Sequence, residues 1–447
     1  MNVIQLKRGY SPRIAGGPSR RLDPLDPPDH VGMVPEKIPF VKPRLLVEEG
    51  QSIAIGSPLF EDKRNTRIHF PSPGGGRITR IEFGPRRVIR RIEIALDAKE
   101  SYATIDVPPS DQWDTISRPH LIDTLLAGGV WPFLRSLPYM DIADPDVAPP
   151  IIFIRLGDDE PFSPDPAVYL DGRQADFKVG TNLLKKLCDR VLIHFVGNES
   201  VLTLLDDQTD VVRFSGPYPT GNPAVQLYRT KNGPEQNRSW FIDGQDVILI
   251  GEFMRTGCYP VGRVMSVGGS LAANAGHVRT RAGIGLRRLN PGGPILSQAA
   301  RFIVGGLFTG YTASPDSYMG FYQNALNLID DGDREELLGF IRPGINKPSY
   351  SKAFLSVLRR RPFPMDCGQH GEVRACVNCG TCAAVCPVDI LPQFTMKCLV
   401  ADEVEEALAH GLLDCAECGL CTYACPSKIE LREVFRAAKA SYYKETA

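Results

Sequence analysis

Residues 376–387 read Cys376-Val-Asn-Cys379-Gly-Thr-Cys382-Ala-Ala-Val-Cys386-Pro387, and residues 415–426 read Cys415-Ala-Glu-Cys418-Gly-Leu-Cys421-Thr-Tyr-Ala-Cys425-Pro426. The pattern C-x-x-C-x-x-C-x-x-x-C-P is written twice and takes eight of the chain's twelve cysteines. Three thiols on one tight turn, with Gly380 and Gly419 letting the backbone wrap closely, point to metal ligation. Closely spaced cysteines also make tetrahedral zinc sites, and disulfides of a secreted protein are a second alternative. A fourth cysteine before proline in both copies favours iron–sulfur clusters over either.

The repeat resembles that of two-cluster ferredoxins, in which three cysteines of one motif hold a [4Fe–4S] cluster and the fourth ligates the other cluster. That resemblance implies one cluster on Cys376, Cys379, Cys382 and Cys425, and a second on Cys415, Cys418, Cys421 and Cys386. Cys188, Cys258, Cys367 and Cys398 are left over. Between the motifs, Phe394 to Leu413 has no Gly or Pro before Gly411 and reads as one helix by propensity. A helical bridge favours an α-helical ferredoxin arrangement over a small β-stranded one.

At 447 residues the chain should divide into three or four domains. Lys and Arg number 51 against 52 Asp and Glu, so no global field favours nucleic acid. Thiolate ligands call for a reducing compartment, the opening residues have no apolar secretory core, and no run is long and apolar enough for a membrane helix. The expectation is a soluble or peripheral protein.

Residues 43–94 alternate short runs of Val, Ile and Phe with turns at Glu49-Gly50, Gly56-Ser57-Pro58, Pro71 to Gly76 and Gly84-Pro85, which predicts a small β-sandwich. This stretch resembles the barrel-sandwich hybrid of biotinyl and lipoyl carriers, with Lys63 in an Asp-Lys pair. The lysine stands differently relative to the Pro-Ser-Pro turn, so a docking module is expected in place of acyl carriage.

The middle of the chain predicts a helix over Pro119 to Leu126, helical character over Thr181 to Leu187, and strands at Ile151–Ile154, Val191–Phe195 and Val247–Ile250. Such alternation implies an α/β layer with a partly parallel sheet. Further strands are expected at Arg263–Val267 and Phe302–Val304, in a small α+β module. No strand is followed by G-x-G-x-x-G, and there is no phosphate loop, so no FMN or NAD site is recognised. His194 reads as an interior histidine, and no nucleophile–base arrangement stands out.

Several stretches together resemble the A-subunit of the sodium-translocating NADH:quinone oxidoreductase (NQR) family: LKRGYSPRIAGGP, HVGMVPEKIPFVKPRLLVEEGQSIAIGSPLFEDK, GVWPFLRSLPY, FSGPYPTGNP, DGQDVILIGEFMRTG and YQNALNLIDDGDREELLGFIRPGINKPSYSKAFL. The C-subunit of the Rnf complex shares the same general plan. Familiar members of the NQR A-subunit family keep only remnants of the cysteine motifs, whereas the complete motifs here are typical of the Rnf C-subunit. Conversely, GGVWPFLRSLP does not match the flavin and NADH loop of the latter.

The resemblance implies a multidomain α/β plus α+β fold: a barrel-sandwich (lipoyl-like) domain over 1–106, a Rossmann-like α/β domain over 107–255, an SLBB-like α+β module over 256–330 and a helical C-terminal domain over 331–447. It implies a peripheral electron-transfer subunit on the cytoplasmic side of the inner membrane, working with other subunits of an ion-translocating NADH:quinone reductase and without a catalytic site of its own. The alternative is an NADH- and FMN-binding subunit of an Rnf-type ferredoxin:NAD oxidoreductase; a third reading is an assembly scaffold with zinc-filled sites. For quinone, the expected contacts are Trp131, Phe133, Arg135 and Tyr139, with the Val31–Val41 stretch as a further candidate.

Overall fold

The computed structural model describes residues 2–205, 210–291, 300–332, 343–369 and 371–446. The helical stretch expected from 331 onward therefore lies partly outside the described residues.

The first two strands serve sheets formed much later in the chain. β1 (Asn2–Gln5) runs parallel to residues 212–215, and β2 (Leu22–Pro24) parallel to residues 277–279. The region expected as the first domain thus lends both of these strands to its neighbours.

The predicted sandwich follows, made of β3 (His30–Met33), β4 (Pro43–Leu45), β5 (Ser52–Ile53), β6 (Pro58–Asp62), β7 (Asn65–Pro71), β8 (Gly76–Phe83) and β9 (Ile89–Leu96). One antiparallel sheet has the order β3-β9-β8-β5 and the other β4-β6-β7. Side chains alternate across each strand, so Ile92 and Ile94 point inward together, and Phe60 stacks on Phe70 at 4.6 Å. Lys63 stands exposed on the β6–β7 turn.

The α/β layer contains β10 (Arg135–Ser136), β11 (Asp141–Ile142), β12 (Ile152–Leu156), β13 (Val191–Phe195), β14 (Asp210–Ser215) and β15 (Trp240–Asp243). With β1 they form a seven-stranded sheet in the order β1-β14-β13-β12-β15-β10-β11, parallel as far as β15 and antiparallel at its β10–β11 edge. All five residues of β13 are buried, as expected of a central parallel strand covered on both faces. Helices α1 (Arg118–Ala127), α2 (Pro166–Tyr169), α3 (Gln174–Leu187), α4 (Pro223–Thr230) and α5 (Gly244–Thr256) surround it.

Val247–Ile250, expected as a strand, lies within α5. The true strand is β15, just upstream. Asp243 is the N-cap of α5, and Gly257 ends it in the left-handed region at φ 67°. The misreading has a physical cause: the helix is buried from Gly244 through Gly251, so it has no polar stripe to reveal a helical period. Its approach to α3 is close enough that a Cβ on Gly251 would stand 1.9 Å from the Asp176 carbonyl oxygen, and one on Gly180 2.2 Å from that of Val247.

A mixed sheet of six strands follows, in the order β19-β18-β20-β16-β17-β2. Its members are β16 (Gly262–Gly268), β17 (Gly276–Arg281), β18 (Ala300–Val304), β19 (Tyr311–Ala313) and β20 (Ala325–Asp330), with the single turn α6 (Leu286–Leu289) packed against it. The strands expected at Arg263–Val267 and Phe302–Val304 lie in β16 and β18.

The C-terminal part consists of α7 (Thr381–Val385), α8 (Pro392–Val400), α9 (Val404–Ala409), α10 (Leu420–Ala424) and α11 (Leu431–Thr446). The single helix expected over Phe394–Leu413 is broken: α8 stops at Val400, Asp402 turns the chain at φ 61°, and Gly411 ends α9 at φ 84°. A straight helix of that length would extend about 30 Å and outrun the small core, where Met396, Ala407 and Leu412 are all buried together. Among the described residues no helix is long and apolar enough to cross a membrane.

Candidate functional site

The two cysteine motifs fold alike. Asn378 and Glu417 adopt φ 53° and 52°, and Gly380 and Gly419 adopt φ 74° and 80° as N-caps of α7 and α10. These left-handed positions curl each loop, and glycine tolerates them without a Cβ penalty. The third cysteine of each motif then enters a short helix, and the fourth, Cys386 or Cys425, caps its end in extended backbone. Proline at the next position favours that extended conformation.

The helices α7 and α10 pack side by side, and the eight thiols divide between two cavities. One is lined by Cys376, Cys379, Cys382 and Cys425, the other by Cys386, Cys415, Cys418 and Cys421. Each cavity thus receives its fourth cysteine from the opposite motif. All twelve cysteines are free thiols. Among the described residues no three His, Cys, Asp or Glu side chains converge as a single metal ion would require. Four sulfur donors around a space fit the [4Fe–4S] type of group in donor number and in chemistry.

The two surroundings differ. In the first set Cys379 is exposed, Cys376 and Cys425 are half-buried and Cys382 is buried, whereas in the second Cys386, Cys415 and Cys418 are buried and Cys421 is half-buried. Burial pushes the Cys415 thiol up to about 11 and raises those of Cys418 and Cys421 further. Cys379 moves the other way, because the Thr381 hydroxyl at 3.2 Å favours its thiolate. Buried thiols of this kind ionise when a metal's positive charge replaces the proton.

Several groups that the motifs did not reveal surround the buried cavity. Lys439 donates to the Cys415 carbonyl at 3.0 Å, and Arg432 Nε to the Glu417 carbonyl at 2.8 Å. The Tyr218 hydroxyl lies 2.7 Å from the Cys418 carbonyl and 2.7 Å from Glu160 Oε2. Burial, with the Asp158 charge beside it, raises the Glu160 carboxyl to about 7. A signal for Lys439 was present in the sequence: it follows Leu431 and Phe435 at intervals of four residues, on what should be an apolar helix face.

The residues expected to meet quinone differ in exposure. Trp131 and Phe133 are closed into the core at 0% and 1% exposure, and the Trp131 indole donates to the Ala143 carbonyl. Arg135 is sandwiched between Phe241 and Tyr322 and paired with Asp243. Tyr139 is half-buried, 4.4 Å from the Tyr443 ring and near Phe40. In the Val31–Val41 stretch, Val31, Met33, Val34 and Ile38 are core residues.

Comparison with known proteins adds three family matches: the NqrA N-terminal barrel-sandwich hybrid domain at residues 4–97, the NqrA second alpha/beta domain at 116–259 and a 4Fe-4S dicluster domain at 375–429. Curated relatives include the A-subunit of Na(+)-translocating NADH-quinone reductase from Pseudomonas aeruginosa UCBPP-PA14, 31% identical over 414 residues that cover 92% of each chain. Its counterpart in Shewanella amazonensis is 30% identical with the same coverage, and that of Rhodopirellula baltica 30% identical over 92% of this chain and 91% of its own. A solved NAD+-reducing [NiFe]-hydrogenase in the H2-reduced state overlaps weakly, at TM-score 0.37 and 10% identity over 76% of this chain and 68% of that one, and carries no argument. With near-complete coverage at this identity and two family domains in order ahead of the cysteine motifs, the chain belongs to the NqrA family, the A-subunits of Na(+)-translocating NADH-quinone reductase.

Proposed function

We propose that this chain is a peripheral electron-transfer subunit of a membrane-bound, ion-translocating NADH:quinone oxidoreductase, lying on the cytoplasmic side and holding two [4Fe–4S] clusters. The observation that carries this reading is the division of eight cysteines into two sets of four, each completed by the opposite motif. When bound, such clusters supply one-electron exchange. The chain's own residues hold the thiols in place: Gly380 and Gly419 shape the loops, α7 and α10 present the third and fourth cysteines, and α11 covers the second set.

The four-part division at 106, 255 and 330 is proposed on the succession of separate sheets along the chain, with the first domain lending β1 and β2 to its neighbours. The five strands over 262–330, joined by β2 into a six-stranded sheet, support an SLBB-like module. For a quinone contact, the half-buried Tyr139, grouped with Phe40 and Tyr443, is the reachable part of the expected set. A photoreactive quinone should label this aromatic group; labelling confined to other peptides removes the assignment.

The test of the main reading is iron and sulfide analysis with EPR of the anaerobically purified, reduced chain. About eight irons and eight sulfides are expected, with signals from two clusters. Zinc without a reduced-cluster signal overturns it. Tight binding of both FMN and NADH to the isolated chain would favour the Rnf-type alternative.

A further inference from the structure

Lys439 lies 2% exposed in the middle of α11, where its neighbours on the same face, Leu431 and Phe435, are core residues. Its ammonium donates to the Cys415 carbonyl at 3.0 Å and to the Pro138 carbonyl at 3.1 Å, and pairs with Glu417 Oε1 at 2.8 Å. Three partners use the three N–H donors of a lysine. A buried cation is costly to desolvate, and a well-packed apolar residue often serves stability as well or better. The position therefore calls for a role besides packing.

That role follows from what the ammonium faces. It lies directly behind Cys415, one of the four cysteines of the buried cavity, and Arg432 lines the same cavity. Among the described residues no Lys or Arg lines the cavity of Cys376, Cys379, Cys382 and Cys425. Three carboxylates oppose the effect: Asp389 acts on Cys386 but is paired with Arg8 and Arg229, Glu417 acts on Cys415 and Glu160 on Cys418. Glu417 retains 21% side-chain exposure, so solvent weakens its field more than that of Lys439, whose side chain is 3% exposed. Glu160 meets the same Tyr218 hydroxyl that meets the Cys418 carbonyl, and burial with the Asp158 charge disfavours its charged form.

Resting on the two-cluster reading, we infer that the Lys439 ammonium is a potential-tuning charge: it raises the potential of the redox group held by Cys386, Cys415, Cys418 and Cys421 above what burial alone would set. Uptake of one electron adds one negative charge and breaks no bond. The electron comes from a one-electron reductant, dithionite in the test below. A fixed cation in a low-dielectric interior stabilises that added charge.

The test is an EPR-monitored redox titration of the full chain with dithionite. Cys379→Ala and Cys418→Ala variants, each losing one signal, assign the two signals. In K439M the signal assigned to the buried set should become harder to reduce. At the unaltered chain's midpoint its oxidised-to-reduced ratio should rise about tenfold, equivalent to ~59 mV for a one-electron couple, while the other signal stays in place. K439R should hold the original midpoint, and E417Q should move it the opposite way. An unmoved midpoint in K439M overturns the inference, as does a K439R chain that shifts like K439M, which would assign the effect to packing. If K439M does not fold, K439Q, which keeps hydrogen-bond donors but no charge, decides: a midpoint that is harder to reach supports the inference and no shift overturns it. Absence of two signals in the unaltered chain overturns the two-cluster reading itself, and the inference with it.

Discussion

Arg64 grips Asp141 with both ends of its guanidinium, Nη1 to Oδ2 at 2.6 Å and Nη2 to Oδ1 at 3.1 Å, and so ties the β6–β7 turn of the sandwich to the edge of the α/β sheet. The same guanidinium holds Asp62, and the Tyr443 hydroxyl of α11 donates to Asp141 Oδ2 at 2.7 Å. Three regions of the chain meet at this one charge cluster, and Asp62 and Asp141 are both buried.

Removing the arginine leaves two buried carboxylates without their cation. R64A should destabilise the protein by about 3 kcal/mol, seen as a lowered thermal midpoint. R64K should recover only part of this, because lysine cannot make the forked contact. If R64A unfolds at the unaltered temperature, the cluster is not a structural tie.

His194 provides a pH-dependent test. It is 1% exposed, stacked on Phe153 at 4.5 Å, and neither ring nitrogen meets a partner in hydrogen-bonding geometry, although the Gln226 amide lies close. Burial lowers its titration from 6.5 to about 3. The ring is thus neutral when folded and takes a proton on unfolding below pH 6.5. Its contribution is intact above that pH and lost as pH falls towards 3. Between pH 7 and 5 the loss should be about 2 kcal/mol. H194F, which has no proton to gain, should unfold with a correspondingly shallower pH dependence; parallel curves for the two proteins would refute this.

The crossing of the cysteine sets predicts which variants share a phenotype. Cys425→Ala should lose the same EPR signal as Cys379→Ala and retain about half the iron, roughly four atoms per chain. Cys386→Ala should match Cys418→Ala. Matching within each motif instead, Cys425→Ala with Cys418→Ala, would show that each motif holds its own cluster.

At Gly251 two effects oppose each other. Alanine in a helix interior is favoured over glycine by about 1 kcal/mol. Here the added methyl would meet the Asp176 carbonyl oxygen at 1.9 Å, a backbone atom of α3 that cannot swing aside. Overpacking of this kind costs about 1–3 kcal/mol, so G251A should lower the thermal midpoint. A raised midpoint would mean that α3 and α5 separate easily.

Local pattern made much of this protein legible. Ile92 and Ile94 alternate with outward residues because one face of their sheet meets solvent, and that alternation is written directly in residues 43–94. The cysteine motifs are readable for a related reason: close ligand spacing is a property of a few consecutive residues. The sequence by itself therefore determined the sandwich, much of the α/β alternation and the residue types of the candidate site.

Tertiary structure decided the rest. Val247–Ile250 became helix because burial on nearly every side erased the solvent-facing stripe that marks a helical period, and only the close approach of Gly180 and Gly251 explains their packing. β1 and β2 joined sheets formed by residues more than two hundred positions later, where they cover the edges of β14 and β17. Lys439, Tyr218 and Glu160 came together around Cys415 and Cys418 from three distant segments. Their effect on a buried site depends on distance and burial in space, and neither quantity is recorded in the order of residues along a chain.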